Sequence, residues 1–197
     1  PPPGRFHIVP SWLAPGYVAD DPDDIIVLDP GRAFGSGHHA TTVMCLELLD
    51  DCDRSDSLRG STVADVGCGS GILAIAAARR GATVTAIDID PDAIDVTAKN
   101  AVTNRVDLTT THRGLDALTG HYDIVVANLL TDVIATHATR LAAATRRTLL
   151  VSGIADERRD VAFDALAAAG LQPEESRSRD GWTAAVWTSA GEPSCAD

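Results

Sequence analysis

At 197 residues the chain has the length of one ordinary domain, enough to bury a core without disulfides or a metal to staple it. Hydrophobic residues make up 45% of it, yet no apolar run approaches the ~20 residues of a membrane-spanning helix, so a soluble protein is expected. A formal net charge of −12, with Lys99 the only lysine among 16 basic residues, repels nucleic-acid phosphates and favours a basic protein or an amine as partner. The same Arg-for-Lys bias is equally the mark of genome composition or a salty habitat.

Pro1-Pro2-Pro3-Gly4 has neither the charged nor the apolar region of an export signal, which points to the cytoplasm. Cys45, Cys52, Cys68 and Cys195 have no metal or disulfide spacing and read as reduced thiols. Pro at six positions and Gly at two mark residues 1–24 as an extended lead-in rather than a packed element. The folded domain is expected over 25–190, with a tail at 191–197.

From Thr41 to Asp51, Val43, Met44, Leu46, Leu48 and Leu49 recur at helical spacing, with Thr41 or Thr42 as cap. Alternation follows: strand Thr62–Val66, helix Gly71–Arg80, strand Thr83–Asp88, and helix Pro91–Thr103 with proline in its first turn. Strands are expected at Arg105–Thr111, Tyr122–Ala127 and Thr148–Ser152, and helices at Asp132–Ala144 and Asp156–Ala169. Leu171–Ser176 and Trp182–Thr188 read as a closing hairpin. This rhythm predicts a Rossmann-like α/β fold: a mostly parallel sheet covered on both faces, with ligands at the carboxyl ends of the strands.

Gly67, Gly69 and Gly71 lie between an apolar strand and an Ala-rich helix, where a tight turn lets backbone N–H groups and the helix N-terminus approach a ligand. Asp88 ends the next strand 21 positions after Gly67, placed to accept the hydroxyls of a ribose. A nicotinamide dinucleotide site spaces its glycines Gly-x-Gly-x-x-Gly to seat a pyrophosphate. Here the third glycine comes one residue early, and Asp65 stands two positions before the first. That pattern suits a phosphate-free, cationic sulfonium cofactor, S-adenosylmethionine.

Asn128 ends the strand Tyr122–Ala127 on the same rim, and two readings compete for it: its amide orients an amine, or it caps the following helix. The Gly-rich loop from Asp29 to Thr42 is expensive to order unless it covers something, and a place over the cofactor fits it best. His38 and His39 lack a third partner at metal-ligand spacing, so no metal site is expected. With Asp29 they are the nearest candidates for a general base. Trp12, Trp182 and Trp187 read as core residues or as walls of a substrate groove.

The run Leu28 to Thr42, then Asp65–Ala77, Ala86–Ala93 and Val125–Leu130 together resemble the PrmA family, methyltransferases of the eleventh large-subunit ribosomal protein. The resemblance extends from about Ile8 to Trp182. It implies a class I methyltransferase with a seven-stranded sheet, and cofactor positions at Thr42, Gly67, Asp88 and Asn128 with Phe34 in the loop over the cofactor. Asp65 and Gly69 complete the expected cofactor site and Asn128 is the catalytic candidate. The implied reaction is repeated N-methylation of protein amines from S-adenosylmethionine. The family pattern usually has Thr, Thr and Pro where Ser36, His38 and Ala40 stand. The family also recognises its substrate with an N-terminal domain; either that domain precedes this chain in a longer protein, or this is a stand-alone relative acting on a small metabolite or peptide natural product. A non-catalytic protein that keeps the pocket for binding alone is the reading from another class.

Overall fold

The computed structural model describes residues 4–28, 37–55, 57–115 and 118–189. Its first elements correct the lead-in expectation. Strands β1 (His7–Val9) and β2 (Ile25–Val27) pair in parallel, His7 opposite Ile25 and Val9 opposite Val27. Phe6 is fully buried beneath them, with the Arg80 guanidinium 4.8 Å above its ring. Arg5 binds Asp50 at 2.6 Å and also reaches Asp53, while Arg80 pairs with Asp24. The side chain of Asn104 stands in for a missing strand beside β2: its Oδ1 accepts from Val27 N–H at 2.8 Å and its Nδ2 donates to Val27 O at 2.7 Å. Prolines make this segment extended, and Phe6 and the ion pairs dock it; burying one phenylalanine contributes roughly 1.5–3 kcal/mol.

Helix α1 (Ala40–Arg54) leads into the main sheet, built from β3 (Thr62–Val66), β4 (Thr83–Asp88), β5 (Leu108–His112), β6 (Tyr122–Asn128), β7 (Thr145–Ala155), β8 (Leu171–Arg179) and β9 (Trp182–Ser189). Between them run α2 (Ile72–Arg79), α3 (Pro91–Asn104), α4 (Thr131–Ala144) and α5 (Arg159–Ala168). The strand order is β5-β4-β3-β6-β7-β9-β8, with β3 to β7 parallel and β9 inserted antiparallel between β7 and β8. The expected mostly parallel, seven-stranded Rossmann-like sheet is therefore present.

Burial explains the composition of the elements. β3 and β6 sit at the centre and are largely buried on both faces, because helices cover both. Leu46, Leu49, Ile75 and Ile124 pack one layer; Ile134, Leu141, Leu149 and Trp187 pack the other. The six residues Ile72–Ala77 of α2 are all buried, so this helix needs no polar face.

Boundaries shift where local geometry intervenes. β5 begins at Leu108 rather than Arg105, because Arg105 adopts φ 57° to end α3. The last helix opens as a 3-10 turn over Asp156–Arg158 before α5. β7 follows α4 without a loop, three residues before the expected strand start.

Candidate active site

The turn from β3 into α2 has Gly67, Gly69 and Gly71 at φ 74°, 55° and 78°, the left-handed region that glycine enters without strain. Four of its amides are already engaged. Gly67 N–H and Cys68 N–H both donate to Ile87 O (2.8 and 3.1 Å), Gly69 N–H to Asp88 Oδ2 (2.9 Å) and Gly71 N–H to Cys68 O (2.8 Å). This corrects the expectation that the turn offers its N–H groups to a ligand. What it offers is clearance and shape, and a pyrophosphate would find these four donors spent.

Asp88, at the end of β4, accepts from Gly69 N–H through Oδ2 and from Asp90 N–H through Oδ1, both at 2.9 Å. Each oxygen keeps a second lone pair, so the carboxylate is held rigidly in the cleft with acceptor capacity left for a diol. Asp65 is placed differently from Asp88. It is buried behind the turn, where Oδ2 accepts from Ala74 N–H (3.0 Å) and Oδ1 has no partner. Burial pushes its carboxyl up to about 7; the Ala74 amide opposes this and the nearby Asp88 charge adds to it. Asp65 does not line the cleft, so it braces the start of α2 rather than touching a ligand there.

Asn128 ends β6 facing the cleft, and the helix-cap reading fails: the residue capping α4 is Leu130. Its Nδ2 donates to Thr42 Oγ1 at 3.4 Å, which turns Oδ1 away from that contact and leaves it available as an acceptor. Thr42 is buried in the first turn of α1, behind Asn128 rather than in the cleft wall. The capping expectation for Thr41 or Thr42 is also corrected. His39 is the cap: its Nδ1 accepts from Thr41 N–H at 3.4 Å and lies 2.9 Å from Thr41 Oγ1, so that nitrogen is committed as an acceptor. His39 lines the cleft edge-on to Trp182, with ring centroids 5.4 Å apart. His38 does not line it, and Phe34 and Asp29 lie outside the described residues.

Together these elements enclose a cleft of about 560 Å³ at the carboxyl ends of β3, β4 and β6, within the range of small-molecule sites. Ile87, Ile89 and Leu115 give it apolar walls on the Asp88 side; Leu130 and Trp182 do so on the Asn128 side. Gly67 and Gly69 form the floor between them. The tryptophans therefore divide: Trp182 lines the cleft, Trp187 is core against Phe163 (5.0 Å), and Trp12 is exposed elsewhere. Sequence reasoning missed Leu129, Leu130 and Gly153, which also line the cleft. Gly153 falls one residue past the strand expected at Thr148–Ser152, and only the observed length of β7, Thr145–Ala155, makes it a glycine inside a strand, the mark of a bulge or a close approach.

The family described as "Ribosomal protein L11 methyltransferase (PrmA)" matches residues 3–189. Two curated relatives named ribosomal protein L11 methyltransferase are similar: one from Pelotomaculum thermopropionicum is 44% identical over 91% of this chain, and one from an Exiguobacterium species is 40% identical over 92%. The matched region spans 58% of the length of each. Among solved structures, a ribosomal protein L11 methylase from Lactobacillus delbrueckii subsp. bulgaricus superposes with TM-score 0.80 at 32% identity, covering 91% of this chain and 92% of that one. A magnesium protoporphyrin IX methyltransferase from Synechocystis PCC 6803 shares the fold alone, with TM-score 0.65 at 19% identity over 76% of this chain and 85% of that one. With the glycine turn, Asp88 and Asn128 gathered on one rim of a class I methyltransferase sheet, the chain belongs to the ribosomal protein L11 methyltransferase (PrmA) family.

Proposed function

We propose that this chain is the catalytic part of an S-adenosylmethionine-dependent N-methyltransferase acting on amines of a basic protein, ribosomal protein L11 by its family. The observation that carries the reading is the pairing of Asp88 and Asn128 across a glycine floor whose amides are spent. Such a floor suits a ligand with a ribose and no phosphates. Asp65, Gly67, Gly69, Thr42 and Asn128 belong to the proposed cofactor site, Asp65 and Thr42 by bracing α2 and Asn128 from behind. Among the described residues no helix is long and apolar enough to cross a membrane, and a cytoplasmic location is proposed with the ribosomal substrate.

S-adenosylmethionine, when bound, supplies an electrophilic methyl group on a sulfonium. Asp88 would accept from its ribose hydroxyls, while Ile87, Ile89 and Leu115 pack against apolar surface. Asn128 Oδ1 would accept an N–H of the incoming amine and so aim its nitrogen lone pair toward the methyl group. Leu130 and Trp182 are the apolar side chains that would stand beside that amine. His39 Nδ1 is committed to Thr41, so that nitrogen is not the one placed to take the amine's proton. An amine that arrives deprotonated would need only this positioning from the chain, and the ammonium product would give up its proton to solvent.

The test is a calorimetric titration with S-adenosylmethionine and with a nicotinamide dinucleotide, followed by mass spectrometry of ribosomal protein L11 incubated with the chain and cofactor. Binding of the first ligand and a gain of methyl groups are expected. Preference for the dinucleotide, or cofactor binding with no methyl gain on that protein, would overturn the respective half of the reading.

A further inference from the structure

Leu129 follows Asn128 directly and is wedged between two glycines. A Cβ placed on Gly67 would come within 2.5 Å of Leu129 Cδ2, so the leucine side chain lies directly over the floor of the cleft. A Cβ placed on Gly153 would overlap the Leu129 carbonyl oxygen and stand 2.8 Å from its carbonyl carbon, so the leucine main chain rests on Gly153. Leu129 N–H donates to Ser152 O at 3.0 Å, which fastens the same peptide to β7. Gly153 has φ 82° and sits where the register of β7 against β9 shifts, between Val151 and Ile154. All three residues line the cleft.

We propose that Leu129 is the spacer that sets the distance between the glycine floor and the Asn128 amide, and that Gly153 is a positioning residue whose missing side chain fixes that distance. The inference rests on the methyl-transfer reading above. In-line transfer needs the amine nitrogen and the methyl carbon in a narrow range, and a displacement of about 1 Å costs roughly a hundredfold in rate. A methyl group on Gly153 needs ordinary contact of about 3.5 Å to the Leu129 peptide. It therefore lifts the Asn128–Leu130 strip from β7, while Asp88 and the glycine turn, held by their own hydrogen bonds, stay in place.

The test compares Gly153→Ala with Gly181→Ala. Gly181 has the same φ of 82°, but nothing lies within 4 Å of a Cβ placed there, so it carries the backbone strain without the displacement. With isotope-labelled S-adenosylmethionine and ribosomal protein L11 as acceptor, Gly153→Ala is expected to lose roughly a hundredfold in kcat and Gly181→Ala to stay within about twofold of wild type. Calorimetric affinity for the cofactor is expected to fall far less than kcat in Gly153→Ala, whose displaced strip lines the same cleft, and to stay near wild type in Gly181→Ala. Equal losses of kcat in the two variants, or cofactor affinity falling in step with turnover in Gly153→Ala, would overturn the proposal. Transfer by the wild-type chain in the same assay tests the underlying reading separately. If wild type transfers nothing, the NMR signal of the Asn128 side-chain amide decides: a shift confined to Gly153→Ala upholds the spacer, and an unmoved signal overturns it.

Discussion

Replacing Asp88 separates what the carboxylate does for the turn from what it does for a ligand. Asp88→Ala deletes two hydrogen bonds to backbone amides, from Gly69 and Asp90, each at 2.9 Å. Bonds to a charged acceptor contribute roughly 1.5–3 kcal/mol when shielded. The Asp90 amide is exposed and recovers a partner from water, so the Gly69 bond dominates and the expected loss is about 1–2 kcal/mol. For a domain of this length that lowers Tm by about 2–8 °C. Loss of the ribose contacts comes on top and is seen only with ligand: about 1–3 kcal/mol, or a 5- to 150-fold weaker Kd for S-adenosylmethionine. Asp88→Asn keeps one acceptor oxygen for Gly69 and presents an amide donor in place of the second oxygen. It should hold Tm near wild type and still weaken binding. Differential scanning calorimetry and isothermal titration on the three proteins give the two quantities independently. A lowered Tm with unchanged Kd in both variants would reduce Asp88 to a brace of the turn and refute its place in the site.

Burial holds the Asp65 carboxyl up to about 7, so the folded chain keeps a proton that the unfolded chain has already lost. The stabilisation is full below about pH 3.9 and fades as pH rises to about 7, by up to roughly 4 kcal/mol. Asp65→Asn should flatten this slope in urea unfolding across the same range, and a slope unchanged from wild type refutes it. Phe6→Ala should destabilise by about 3–5 kcal/mol in guanidinium unfolding; a shift within error would show that the N-terminal segment does not share the core. Asn128→Ala should lower kcat about a hundredfold and raise the cofactor Kd far less, and equal kcat would remove the amide from the reaction.

The central strands were legible because composition and punctuation agreed: β3 and β4 run over the residues expected, since each is a short run rich in Thr, Val and Ile bounded by glycine or proline signals. β1 and β2 were not. Each is three residues long, they pair in parallel across a proline-rich stretch, and Asn104 and Phe6, far apart in sequence, complete them. Within the site, the positions of Gly67, Asp88 and Asn128 followed from strand ends, whereas their bonding did not. That each Asp88 oxygen accepts one backbone amide, that His39 caps α1, and that Asp65 lies behind the turn all depend on how neighbouring strands and helices meet. Gly153 was hidden for the same reason, since its contact with Leu129 exists only through the β6–β7 pairing.

The place of β9 bears on how the molecule is made. This strand, late in the chain, enters between two that precede it, and it brings Trp182 to the cleft. A ribosome must therefore deliver β9 before β7 and β8 gain their shared neighbour, and until then both present open edges with unpaired amides. A nonsense codon ahead of Trp182 would leave sticky, half-closed nascent molecules with one wall of the cleft missing rather than a weakened enzyme.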